Sequence, residues 1–186
     1  MTNDPARLLE AVLFAAEKHR NQRRKNLEGS PYINHPIEVA SILASVAGVG
    51  DGTVLCAAVL HDTLEDTDTS ARELEGHFGP EVRALVEEMS DDKSLPSEQR
   101  KALQVLHAPH ASPSARLIKL ADKIANIRDV GVSPPKSWSL QRRTEYLDWA
   151  ERVVAGLRGT NAALEARFDV LLAESRRALD ALGPGR

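Results

Sequence analysis

His61, Asp62, Glu65 and Asp66 place two metal-binding groups and two further carboxylates within six residues, straight after the apolar run Val54–Leu60. Seven successive apolar residues read as a buried helix, so its polar end should emerge into a cleft rather than onto an open surface. At the helical pitch the four side chains share one arc of roughly 140°. His61 and Asp62 are adjacent and can reach one cation together, while Glu65 and Asp66 each lie one turn further on. Imidazole and carboxylate donors are the ligands of hard or borderline divalent metals, and a neighbouring carboxylate can take a proton from water. A plainer role for the same residues is a solvated helix end.

A metal cage needs more than two ligands. His35, held between a polar loop and the helix that Pro36 opens, is one candidate. Asp122, on the polar side of an otherwise core-facing helix, is the other. Two His and two Asp without sulfur suit Mn²⁺, Fe²⁺ or a similar ion, and residue types alone do not choose among them. Taken singly, His35 could cap its helix and Asp122 could face solvent.

The charge distribution adds a second theme. The net charge is −3, which does not suggest a general nucleic-acid or membrane-surface binder, but the charges are unevenly placed. From Glu17 to Lys25 there are five Lys/Arg and one Glu, and from His61 to Asp92 there are eleven acids and two Arg. A metal site beside an anion-binding wall fits that asymmetry; so do two solvated faces of opposite sign. Cys56, the single cysteine, lies inside the apolar run and reads as packing, which leaves no disulfide framework and no thiolate metal site. No secretory, transit or membrane-length apolar segment is visible, so the expected location is cytoplasmic.

The elements that must position these groups are all helical. Asp4-Pro5 caps a first helix running to about Arg20, and the polar loop 21–34 carries Arg23, Arg24, Lys25 and Tyr32. A second helix starts at Pro36, and a third, from about Asp51 or Thr53, carries the His61–Asp66 stretch at its end. Ser70 opens a short helix to His77 in capping-box form, Gly79-Pro80 starts another, and Pro96 opens one more to about His107. Residues 114–130 form an amphipathic helix with Leu117, Leu120, Ile124 and Ile127 on one face and Lys119, Asp122 and Asn126 on the other. Two long helices, about 136–157 and 160–182, precede a tail at 183–186 expected to fray. Without alternating strand patterns or a linker, the expectation is an all-α, single-domain helical bundle over residues 1–186.

An early His, a His-Asp pair and a later Asp on another helix form the HD-domain signature. The chain resembles the hydrolase domain of RelA/SpoT-type alarmone enzymes, and especially the stand-alone small alarmone hydrolases, including the metazoan SpoT homologues. The resemblance runs through Arg24-Lys25, Pro31–Pro36, His61–Thr67, Phe78-Gly79, Asp91–Lys93 and Leu120–Lys123. It implies that His35, His61, Asp62 and Asp122 bind one Mn²⁺ per chain, other divalent ions being alternatives, and that Glu65 and Asp66 are the catalytic acidic pair. Which of the two is the base stays open. The implied reaction removes the 3′-pyrophosphate of ppGpp or pppGpp, leaving GDP or GTP.

By the same resemblance Arg24, Lys25, Tyr32 and Asn126 contact the nucleotide, with Arg142 and Tyr146 closing the pocket. Tyr146 as a core aromatic and Arg142 as a solvent arginine are equally compatible with the sequence. Animal relatives carry a lysine where this chain has Ser97, and a bulkier residue where it has Ala125; both bear on substrate range rather than on the metal set. Removal of the 2′-phosphate of NADPH, or other phosphohydrolysis, is the alternative activity, and a non-catalytic nucleotide-binding scaffold is the alternative without chemistry. Oligomeric state is not legible.

Overall fold

The computed structural model describes residues 4–183; Pro184–Arg186 of the tail expected to fray lie outside them. Asp4 accepts a hydrogen bond from Ala6 N and starts α1, Pro5–Lys18. The loop that follows is pinned by one antiparallel bridge, Arg23 to Pro31, and leads into α2, Asn34–Ser45. Asp51 caps α3, Gly52–Leu60, and a one-turn helix α4, Thr63–Asp66, completes the acidic stretch. Then come α5 (Ala71–Met89), α6 (Ser97–His107), a 3₁₀ turn (Ala108–His110), α7 (Pro113–Val132), α8 (Leu140–Ala155) and α9 (Ala162–Asp180). No strand forms among the described residues, as the absence of alternating patterns implied.

Two helices organise the interior. Every residue from Val54 to Leu60 is buried, so α3 is apolar all round because it is surrounded, by α1, α2 and α5. The other is α7, packed against α2, α8 and α9. Its apolar face is where the spacing put it, with Leu120, Ile124 and Ile127 buried. Its polar side, though, does not face solvent: Asp122 and Lys123 are buried as well. The charged side of α7 therefore looks into the protein, towards the end of α3.

Two expectations need correction. The His61–Asp66 stretch is not the end of one continuous helix. Regular α3 stops at Leu60, Asp62 sits at φ −95°, ψ −3°, and α4 starts anew at Thr63. The Thr63 hydroxyl donates to Leu60 O (2.7 Å), and His61 Nδ1 lies 2.8 Å from Ala58 O, so side chains satisfy carbonyls at the end of α3. The eighth helix begins at Leu140 rather than near Lys136, because Ser139 caps it by accepting from Arg142 N. The break expected at Gly79-Pro80 is present as a kink inside α5, with Gly79 at φ +77°.

The α7–α9 contact depends on one missing side chain. At Gly131 an added methyl would overlap the Ser175 hydroxyl and stand 3.2 Å from the Ser175 Cα, displacing the hydroxyl that donates to Ile127 O. Gly131→Ala is expected to destabilise the fold by about 1–3 kcal/mol in urea or thermal unfolding. A wild-type midpoint would mean that α9 yields at no cost.

Candidate active site

Four side chains from three places in the chain converge beside Leu60. His61 follows α3, and its Nδ1 donates to Ala58 O, which leaves Nε2 facing the cleft. That Nε2 is 3.2 Å from Asp62 Oδ2 and 3.8 Å from Asp122 Oδ1. His35, in the first turn of α2, places Nε2 3.1 Å from Asp122 Oδ1 and 3.9 Å from Asp62 Oδ2. The donor atoms of His35, His61 and Asp62 all lie within 4.8 Å of one another. Nε2 of His61 is buried and makes no hydrogen bond, so imidazole nitrogens and carboxylate oxygens face a common point that a cation would neutralise.

The electrostatics of the cluster support that fit. Burial opposes the charge on Asp122, yet Lys123 and the two imidazoles hold its carboxyl well below the usual range. Burial likewise opposes the Asp62 charge, and His61 and His35 outweigh it in the same direction. Burial lowers His35. It disfavours the His61 imidazolium too, but the facing carboxylates dominate and push that group up to about 9. A proton on Nε2 and a metal cation are alternative answers to the same two carboxylates.

A second layer of side chains fixes the cluster. Lys123 Nζ lies 2.8 Å from Asp122 Oδ2 and 4.7 Å above the Trp149 ring, while Asn126 Nδ2 donates to Asp122 Oδ1 (2.6 Å). The Tyr32 hydroxyl donates to Asp62 Oδ2 at 2.7 Å and lies 3.2 Å from Asp66 Oδ2. Burial and those two carboxylates raise the phenol far above its ordinary value, so it remains a donor. Removing such a partner from a metal ligand typically costs 10–100-fold in metal affinity. Tyr32→Phe keeps the ring stacked on His19 and is expected to weaken divalent-metal binding by about that factor in a direct titration. Unchanged affinity would assign the hydroxyl to substrate alone.

Glu65 and Asp66 leave α4 in different surroundings. Glu65 accepts from Asp91 N (3.1 Å) and from Arg100 (3.2 Å), so both oxygens are oriented. Burial, with the nearby Asp91, Asp62 and Asp66 charges, raises its carboxyl. Asp66 is ion-paired with Lys93, and its carbonyl accepts from Gln22.

The remaining residues shape two joined cavities. One, of about 260 Å³, is lined by His35, Asp62, Glu65, Asp122 and Lys123 among others. The other, of about 450 Å³, holds Arg24, Lys25, Trp138 and Tyr146. Arg24, Tyr32, Asp66, Asn126 and Tyr146 line both. Arg24 sits over the Tyr32 ring and donates to Asn126 (3.0 Å) and Asp129 (2.8 Å). Tyr146 lies between Trp138 and Trp149. Arg142 is exposed and stacks on Trp138 without lining either cavity. Ser97 lines the smaller cavity, whereas Ala125 is buried in the core and lines neither.

Several residues of this site escape sequence reasoning. Lys93 and Lys123 sit in the segments that carry the family resemblance, but their own roles there are not legible. Arg100 and Asp129 carry no signal, since each looks like one more charge on an amphipathic helix.

A family model of the HD domain matches residues 11–151. The human protein named guanosine-3′,5′-bis(diphosphate) 3′-pyrophosphohydrolase MESH1 is 59% identical over 165 residues, covering 89% of this chain and 92% of its own. The Xenopus tropicalis protein of the same name is 56% identical over 169 residues, covering 91% and 94%. A solved structure described as a metazoan ortholog of SpoT that hydrolyzes ppGpp and plays a role in starvation responses matches with a TM-score of 0.90 at 47% identity, over 96% of this chain and 99% of that one. The chain belongs to the HD-domain family and, within it, to the group formed by these MESH1 proteins.

Proposed function

We propose that this protein hydrolyses the 3′-pyrophosphate of guanosine tetraphosphate and pentaphosphate, yielding GDP or GTP and pyrophosphate. The observation that carries this reading is the 59% identity to the human pyrophosphohydrolase across 89% of the chain. His35, His61, Asp62 and Asp122 would hold the ion, and Mn²⁺ fits their nitrogen and oxygen donors. A bound divalent cation supplies acidified water and neutralises phosphate oxygens.

The chain's own residues do the rest. The nucleoside occupies the larger cavity between Arg24, Lys25 and Tyr146, with Asn126 at its junction with the smaller one. Arginine's flat guanidinium suits both a base face and a phosphate. Glu65, with both oxygens oriented and its carboxyl raised by burial, takes the proton of the attacking water. The water oxygen bonds to the phosphorus carried on the 3′ oxygen, that phosphorus–oxygen bond breaks, and the 3′ oxygen regains a proton. Asp66, held by Lys93 and close to the Tyr32 hydroxyl, orients the water.

The deciding experiment is pyrophosphate release from ppGpp by the purified protein, with NADPH turned over in parallel. Release is expected with Mn²⁺, to be lost on chelation and to return on re-addition. Faster phosphate release from NADPH would overturn the alarmone reading. Metal should also stabilise the fold, by about 2.7 kcal/mol at a free concentration 100 times Kd. A melting temperature indifferent to Mn²⁺ would remove the ion from the four-residue cluster.

A further inference from the structure

The catalytic cavity has a second neighbour. Between the end of α5, α6 and α7 lies a cavity of about 460 Å³, lined in part by Glu88, Arg100, Gln104, His107, His110 and Lys119. Asp91, Arg100 and Gln104 also wall the catalytic cavity, whereas the nucleoside pocket has no lining residue in common with this one. The three cavities therefore form a row with the reacting centre in the middle.

Its three acids are held in place by neutral donors. Glu88 accepts from Ser112 N and Oγ (2.6 and 2.7 Å), Asp91 from Gln104 Nε2 (2.7 Å) and Asp92 from Ser94 N (2.9 Å). Its cations have spare capacity. Lys119 forms no ion pair among the described residues, and burial, helped by Lys123, holds its ammonium below the ordinary lysine value against the pull of Asp91, Asp122 and Glu88. Arg100 spends Nη1 on Glu65 and keeps a buried Nε without a partner. His107 and His110 stand exposed at the rim. A largely buried cation without a direct ion pair is destabilising, and an entering anion relieves it.

We propose that this cavity receives the inorganic pyrophosphate released by the reaction, with Lys119 and Arg100 as its charged partners and His107 and His110 at its mouth. The proposal rests on the hydrolase reading above. The phosphorus that water attacks stays with the pyrophosphate, so this product forms on the side of Glu65, away from the nucleoside. Arg100 joins Glu65 to the second cavity. Pyrophosphate can thus leave by one cavity while the nucleoside diphosphate still fills the other.

Product inhibition at fixed free metal concentration tests this in the metal-loaded protein. Lys119→Gln is expected to raise the inhibition constant of pyrophosphate about tenfold, the loss of one charge-assisted contact, and to leave that of GDP within about twofold. Lys119→Arg, which keeps the charge, should retain pyrophosphate inhibition within about threefold. An unchanged pyrophosphate constant in Lys119→Gln, or an equal rise for both products, overturns the proposal. Calorimetric titration of pyrophosphate into wild type and Lys119→Gln separates this from the catalytic reading. If ppGpp is not hydrolysed, that reading fails, while weaker pyrophosphate binding by the variant still upholds the anion site and equal binding removes it.

Discussion

Asp62→Ala is expected to lower pyrophosphate release from ppGpp by roughly 10³-fold or more and to leave the purified protein nearly free of bound divalent metal. The magnitude follows from the several kcal/mol of charge stabilisation that a catalytic metal supplies, at about 1.36 kcal/mol per tenfold in rate. Asp62 is central on geometric grounds. Its Oδ2 is 3.2 Å from His61 Nε2 and 3.9 Å from His35 Nε2, and it accepts the Tyr32 hydroxyl at 2.7 Å. Its loss removes a carboxylate from the cluster and leaves two buried imidazoles facing Asp122 alone. Metal content by elemental analysis and turnover should fall together. Full metal content with normal turnover would move the metal site elsewhere.

Glu65→Gln is expected to separate those two readouts, since its carboxylate lies beyond the ligand cluster. Turnover should drop by about 10²–10⁴-fold, the usual worth of a general base, with metal content unchanged. Glutamine can still accept from Asp91 N and Arg100, so the local structure has no reason to collapse. Asp66→Asn should cost less, because burial raises the Glu65 carboxyl towards the pH at which it can take a proton. If the two variants exchange places, with Asp66→Asn the more damaging, the assignment of base and orienting group is reversed. Wild-type turnover in both would favour a scaffold that binds nucleotide without chemistry.

Much of this site is legible in the sequence because its residue types are costly anywhere else. Three carboxylates and an imidazole in the six residues after seven buried apolar ones are hard to accommodate without partners. His35 and Asp122 could be named as candidates from their places on helices, and the structure brings both to His61. What periodicity could not convey was the break between α3 and α4. Helical hydrogen bonding there yields to side-chain bonds from His61 and Thr63, and such local competition leaves no mark on hydrophobic spacing.

The helical class, the apolar faces of α3 and α7, the capping positions and the adjacency of His61 and Asp62 were determined by the sequence alone, because each depends on residues near one another in the chain. The tertiary structure alone decided which charges meet. Lys123 is bound to Asp122, Arg100 holds Glu65 from 35 residues away, Lys93 neutralises Asp66, and Asp129 holds Arg24 across 105 residues. On a solvated face each of these ion pairs would contribute little. In the cleft between α3 and α7 burial strengthens those of Lys123, Arg100 and Arg24, while Lys93 stays half-exposed, and burial is a property of packing that no local pattern of residues records.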